Sequence, residues 1–290
     1  MVNNHCFFCV KLLSLQPNFA IMKKGFYTLL LGLLLLTSCS KYNNLLKTSD
    51  VECKYEAAKA YFIAREYGKA SPLLEDIISM LKGNRNAEES LYMLAMCYYE
   101  SGDYETASQY FKTYYTTYQR GVYNELARFY CGKSLFKSIP VPELDQSSTH
   151  SAIQELQLFL EYYPATQYRA DVQDMLFAMY DILVEKDYLS AKLYYDLGSF
   201  DLMRNNYQAC IVTAQNALKE YPYTKLREEL SILILRAKYK MAEKSVEDKK
   251  VDRYRDAVDE YYAFKNEFPE SKYLEEVEKY YQEALKEVNE

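Results

Sequence analysis

The sequence predicts an all-α fold, an α-solenoid of about five helix–turn–helix repeats closed by a C-terminal capping helix. Three observations carry that reading. An aromatic–x–x–small tetrad recurs as Tyr67-Gly68-Lys69-Ala70, Tyr104-Glu105-Thr106-Ala107 and Tyr254-Arg255-Asp256-Ala257. Tyr207-Gln208-Ala209-Cys210 puts cysteine in the small place, and Thr149-His150-Ser151-Ala152 lacks the aromatic. Twelve residues beyond each small residue stands an expected helix end: Lys82, Gln119, Pro164, Pro222 and Pro269. The last three ends share a signature, Tyr162-Tyr163-Pro164, Glu220-Tyr221-Pro222 and Glu267-Phe268-Pro269. Thr166, Thr224 and Ser271 follow at matching places, where a hydroxyl is expected to cap the next helix by accepting from a free backbone amide.

Before the repeats, Lys23-Lys24 precede an uncharged, leucine-rich run from Gly25 to Leu36 that closes on Thr37-Ser38-Cys39. Twelve residues of helix fall well short of the roughly 30 Å hydrocarbon core, so the run reads as a cleaved export signal over 22–38. Leu36-Thr37-Ser38-Cys39 resembles the lipobox of bacterial lipoproteins, in which the cysteine carries diacylglycerol before cleavage and an N-acyl chain after it. Cys39 is therefore the expected lipidation site, with residues 39–50 as the anchored linker and no other cofactor. Residues 1–21 fit an extension upstream of a true start at Met22. Cys6 and Cys9, with His5 beside them, form a pair that would be discarded with it, short of the four ligands a zinc site needs. Ser40 in place of aspartate after Cys39, with no acidic run behind it, predicts the periplasmic face of the outer membrane.

The repeats are expected at about 51–83, 87–120, 122–165, 168–222 and 224–269, followed by a capping helix over 271–288. The second is the clearest: Leu91, Leu94, Ala95, Tyr98, Ala107, Phe111 and Gln119 stand at the spacings of the 34-residue tetratricopeptide pattern. Ala58, Cys131 and Gly198 are expected to hold the close-crossing place that Ala95 holds there. The third repeat is stretched by residues 138–146, whose Pro140 and Pro142 break helix. From Asp171 no strong breaker intervenes until Gly198, which predicts one long helix. The charged stretch Ser245–Asp252 reads as a loose joint.

Without its first 38 residues the chain keeps 32 Lys and Arg against 41 Asp and Glu. Such an acidic body lacks the cationic surface that nonspecific nucleic-acid binding needs. His150 is the single histidine after Cys39, so no Ser-His-Asp or Cys-His constellation is credible. Cys53, Cys97, Cys131 and Cys210 show no motif spacing, and most of them read as small packing residues, with Cys131 and Cys210 in the small places of their repeats. No metal site is expected. Acidic pairs such as a glycosidase needs exist among so many carboxylates, but most fall on solvated helix faces such as Glu275-Glu276-Val277-Glu278-Lys279.

A tetratricopeptide array directly behind a lipobox, with Tyr42–Asp50, Leu144-Asp145-Gln146 and the closing Phe268–Tyr273, resembles the BamD family of β-barrel assembly lipoproteins. The resemblance spans Cys39 to the C-terminus. It implies a non-catalytic periplasmic scaffold whose C-terminal repeats dock on a BamA-type barrel subunit, through Tyr221–Arg227 and Arg253–Glu267. Its N-terminal repeats would engage unfolded outer-membrane protein precursors. First helices of such repeats line a groove, and the groove-facing candidates are Tyr55, Phe62, Tyr92, Met96, Tyr99 and Arg128. Aromatic and methionine side chains with one arginine suit an extended peptide ending in an aromatic residue and a carboxylate. The alternative is another periplasmic adaptor of the same repeat class. A SusD-type nutrient binder would need room for an inserted domain, and a cell-division coordinator would need a coiled coil before the array.

Overall fold

A computed structural model describes residues 42–198 and 206–289; the lipobox and Cys39 lie outside the described residues. Those residues are all-α, and within each of two compact units helices packed on their neighbours match a tetratricopeptide-like solenoid. After a short helical segment at 42–47 come α1 (Val51–Ile63), α2 (Tyr67–Ile78), α3 (Ala87–Glu100) and α4 (Tyr104–Thr117). Then follow α5 (Asn124–Lys137), α6 (Ser147–Tyr162), α7 (Arg169–Leu197) and α8 (Asn206–Glu220). The chain closes with α9 (Arg227–Glu243), α10 (Glu247–Glu267) and α11 (Leu274–Asn289). Contacts group these helices into two compact units, one ending at Asn124 and the other beginning at Glu125.

In the first unit the small residues do what their spacing predicts. Ala58, Ala70, Ala95 and Ala107 are all fully buried, because an alanine lets two helix backbones approach where a longer side chain would hold them apart. Leu73, Leu74, Ile77, Leu81 and Leu94 fill the core around them. Asp50 caps α1 by accepting from the Cys53 amide at 3.0 Å, and Asp103 caps α4 by accepting from Thr106 at 3.1 Å. Each satisfies a donor that a helix start leaves open.

In the second unit α5 and α6 are joined by the proline loop at residues 138–146. Gln146 organises it from a buried position. Its Nε2 donates to the Val141 carbonyl at 2.8 Å and the Leu144 carbonyl at 3.2 Å, and its Oε1 accepts from Thr149 at 2.7 Å. Lys186 of α7 donates to the Leu144 carbonyl from outside, at 2.8 Å. Helix α9 is buried on nearly every side, through Leu230, Ile232, Leu233, Ile234 and Leu235. Such an apolar perimeter suits a central helix. The cap α11 buries only Val277 and Ala284 and turns its remaining face outward.

Three expectations need correction. Gly198 does not lie within a helix crossing: it ends the long helix α7 with φ 55°, a conformation that glycine adopts without strain, and what its missing side chain admits is the Tyr207 hydroxyl, 2.8 Å from where a Cβ would stand. Fully buried Ala191 instead shares the cluster with Cys210. Ser245–Asp252 is largely helical, since α10 starts at Glu247 and only residues 244–246 connect it to α9. Thr166, Thr224 and Ser271 bond the amides of Tyr168, Leu226 and Tyr273, at 3.2, 3.1 and 3.0 Å. Each therefore closes a turn that comes before the helix rather than capping the helix itself.

Candidate functional site

In the first unit, Tyr92, Met96 and Tyr99 recur at intervals of four and three residues and so share one face of α3. All three are half-buried. The Tyr92 ring stacks on Tyr123 at 4.3 Å and stands edge-on to Tyr114 at 5.8 Å and Phe111 at 6.0 Å. Tyr114 donates its hydroxyl to Glu88 at 2.5 Å, and the same carboxylate accepts the Val122 amide at 2.8 Å. Burial, reinforced by Glu88, pushes the Tyr114 phenol well above its ordinary value. Tyr92 is thus one wall of an aromatic box that ties α3 to the turn before α5. Tyr99 stands edge-on to Tyr104 at 5.5 Å, and Phe62 stands to Tyr67 in the same way at 5.8 Å. The two pairs occupy equivalent places in successive hairpins.

Tyr55 does not belong with these residues on an open wall. It is only 3% exposed and donates its hydroxyl to Glu89 of α3 at 2.5 Å. Lys59 joins the same carboxylate at 3.0 Å. Burial acts to raise the Glu89 pKa, but the bonds from Tyr55 and Lys59 outweigh it and leave the carboxyl below its ordinary value. The knot locks α1 to α3, so Tyr55 is a packing residue. Arg128 lies in the second unit, on α5, with its guanidinium 4.1 Å from the centroid of the exposed Tyr162 ring. That is cation–π geometry.

A feature that sequence reasoning missed is the acidic second residue of the first helices, at Glu52, Glu88, Glu125 and Glu228. Glu88 holds the Val122 amide, Glu125 accepts from the Thr166 hydroxyl at 2.6 Å, and Glu52 faces the Asn86 amide at 3.4 Å. These three carboxylates reach the turn that opens the following repeat, whereas the buried Oε1 of Glu228 makes no hydrogen bond among the described residues. The recurring acid two or three residues into each first helix is a signal the sequence carried. Tyrosine-to-carboxylate bonds do the same work elsewhere, as between Tyr239 and Glu283 at 2.5 Å.

The second unit also holds a pocket of about 340 Å³ between α7 and the α8–α9 turn, lined by Phe177, Tyr180, Val184, Tyr221, Pro222 and Tyr223. Tyr223 is 98% and Phe177 68% exposed, so two large rings stand in solvent beside a concave apolar surface. Asp181 and Glu220 rim it. Burial and neighbouring Glu220 push the Tyr221 phenol upward. On α10, Tyr254 and Tyr261 point inward while Tyr262 is half-exposed and shares a hydrogen bond with Tyr281 at 2.6 Å. Chemically these surfaces offer apolar and aromatic contact with a polar edge, the make-up of protein-binding sites.

No described helix is long and apolar enough to cross a membrane. The profile of a family described as outer membrane lipoprotein, YfiO, matches residues 48–252. A search of curated proteins returns no significant match.

Proposed function

The chain belongs to the YfiO family of outer membrane lipoproteins, and from that premise we propose that it is a non-catalytic scaffold for outer-membrane β-barrel assembly. Diacylglycerol and an N-acyl chain on Cys39 hold it to the periplasmic face of the outer membrane. Its second unit docks on a BamA-type barrel subunit, and its first unit engages unfolded barrel precursors. The observation that carries this reading is the position of the family match, which begins nine residues beyond Cys39. A lipobox cysteine so close upstream of a family-wide repeat domain is where an anchor belongs. The apolar pocket beside Tyr221–Arg227 supports docking through the second unit, and the half-buried face Tyr92, Met96 and Tyr99 supports peptide contact in the first.

The test is co-purification from detergent-solubilised outer membrane through a tag at Glu290. Phe177→Asp with Tyr223→Asp changes two exposed rings, leaves the core intact, and is expected to abolish recovery of the barrel subunit. Met96→Ala with Tyr99→Ala is expected to keep that subunit while weakening crosslinks to precursor C-terminal peptides. If the first pair keeps the barrel subunit and the second loses it, the assignment of the two units is reversed. Cys39→Ala is expected to leave the protein unprocessed or released from membranes; flotation with unchanged mature mass would remove the anchor.

A further inference from the structure

The anchored linker expected over 39–50 is, from residue 42 onward, part of the folded first unit. Tyr42 donates its hydroxyl to the Lys69 carbonyl at 3.0 Å and packs edge-on against Tyr61 at 5.7 Å. Leu45 joins the core. Lys54, buried to 5% exposure, donates to the Leu46 carbonyl at 3.1 Å and pairs with Asp76. Tyr61 and Lys69 flank the α1–α2 turn, so the chain enters the fold at that end of the hairpin. Only Ser40 and Lys41 separate Cys39 from Tyr42. Three steps between successive Cα atoms span at most about 11 Å.

The turn itself carries a second, independent feature. Ala64, Arg65 and Glu66 amides donate to Ala60, Phe62 and Tyr61, and Ser101, Gly102 and Asp103 repeat the pattern onto Cys97, Tyr99 and Tyr98. Gly102 meets that geometry with φ 84°, whereas in the first repeat Arg65 adopts it with φ 60°. A left-handed backbone is free of penalty for glycine and unfavourable for arginine. Strain of this kind clusters at functional positions. Beside Arg65, Ile63 is 73% exposed, and Arg65 makes no ion pair among the described residues. An isoleucine next to a long cationic side chain matches the interface of a bilayer, where the apolar group enters and the charge stays with the phosphates.

Resting on the anchored reading above, we propose that the α1–α2 turn sits on the headgroups of the membrane that holds the Cys39 acyl chains. Ile63 enters the interfacial layer and Arg65 lies against lipid phosphate. The other end of these hairpins, marked by Val122 in the turn after α4, points away from the bilayer.

The test uses the full lipidated protein in phosphatidylethanolamine–phosphatidylglycerol vesicles containing a headgroup-nitroxide lipid. In a Cys53→Ser background, Ile63→Cys or Val122→Cys carries an environment-sensitive fluorophore. Quenching at position 63 is expected to exceed that at 122 by at least about twofold, and Arg65→Glu is expected to reduce it by roughly half, as loss of one surface cation near anionic lipid requires. Arg65→Gly is expected to reduce it likewise while raising the unfolding midpoint, which a purely structural arginine would not do. Equal quenching at both positions in protein that floats with the vesicles overturns the proposal and leaves the anchor standing. Protein that is not lipidated and does not float overturns both.

Discussion

Gly132→Ala separates helix propensity from packing at the α5–α6 crossing. In a free helix the change stabilises by about 1 kcal/mol, because glycine loses more backbone freedom on folding. In this structure a Cβ on residue 132 would lie 2.3 Å from Leu156 Cδ2 and 2.8 Å from its Cγ. Carbon atoms in contact prefer about 3.5–4.0 Å, so something must move by more than about 1 Å. Leu156 is fully buried, packed in a cluster with Phe129 and Phe159, and its Cγ cannot retreat without changing rotamer. Overpacking of this kind costs about 1–3 kcal/mol, so after the propensity gain the net expectation is a loss of about 0–2 kcal/mol. Leu156→Ala alone opens a cavity and costs about 2–5 kcal/mol, but in the double variant the new methyl has room, and the losses should fall short of their sum by about 1 kcal/mol or more. Urea unfolding followed by far-UV circular dichroism gives all four corners of the cycle. A Gly132→Ala protein more stable than its parent, or strictly additive losses, would refute the close approach.

Gln146→Ala should cost about 2–3 kcal/mol, because it strands the buried Thr149 hydroxyl and releases two loop carbonyls; hydrogen exchange should rise first at residues 138–146. Arg236 grips Glu276 with two bonds at 2.7 and 2.6 Å, and that guanidinium holds the Glu276 carboxyl below its ordinary value against the opposing effect of burial. A depressed carboxyl adds stability above the unfolded pKa of about 4.3 and loses it as pH falls through the folded value. Glu276→Gln should therefore cost about 1 kcal/mol at neutral pH, and the gap to the parent should close in acid denaturation curves. Burial pushes the Cys97 and Cys210 thiols up to about 12, while Cys53 is exposed. Mass spectrometry after maleimide treatment of the native protein at neutral pH should find modified Cys53 and unmodified Cys97 and Cys210; labelling of the latter pair would contradict their burial.

Much of the fold was legible because it is written locally. Pro140 and Pro142 delimit the long loop, and Ala70 and Ala107 announce close crossings through their tetrads. The same local rule misled at Gly198, which stands twelve residues before Cys210 as Ala95 stands before Ala107; a glycine at that spacing can equally stop a helix. Ser245–Asp252 looked loose because charge reads as solvation, yet charge also covers the outer face of α10. Tyr55 could not be told from a groove residue, since its burial depends on Glu89 in the next repeat. Gly132 likewise reads as a weak helix position until Leu156 is seen against it. What the sequence hides is the partner across a layer, and it is the partner that decides whether a side chain is wall or mortar.

The phenol-to-carboxylate joints have a consequence for the medium in which this protein works. Tyr55 with Glu89, Tyr114 with Glu88 and Tyr239 with Glu283 link layers through a donor that carries no charge. Dissolved ions weaken attraction between opposite full charges at a surface, whereas a short bond from a neutral hydroxyl, sheltered by its own ring, gives them little to screen. Seawater-strength brine and dilute buffer should therefore find nearly the same cohesion between layers. Such a body keeps its shape through swings in salinity that would loosen one riveted by lysine and glutamate alone.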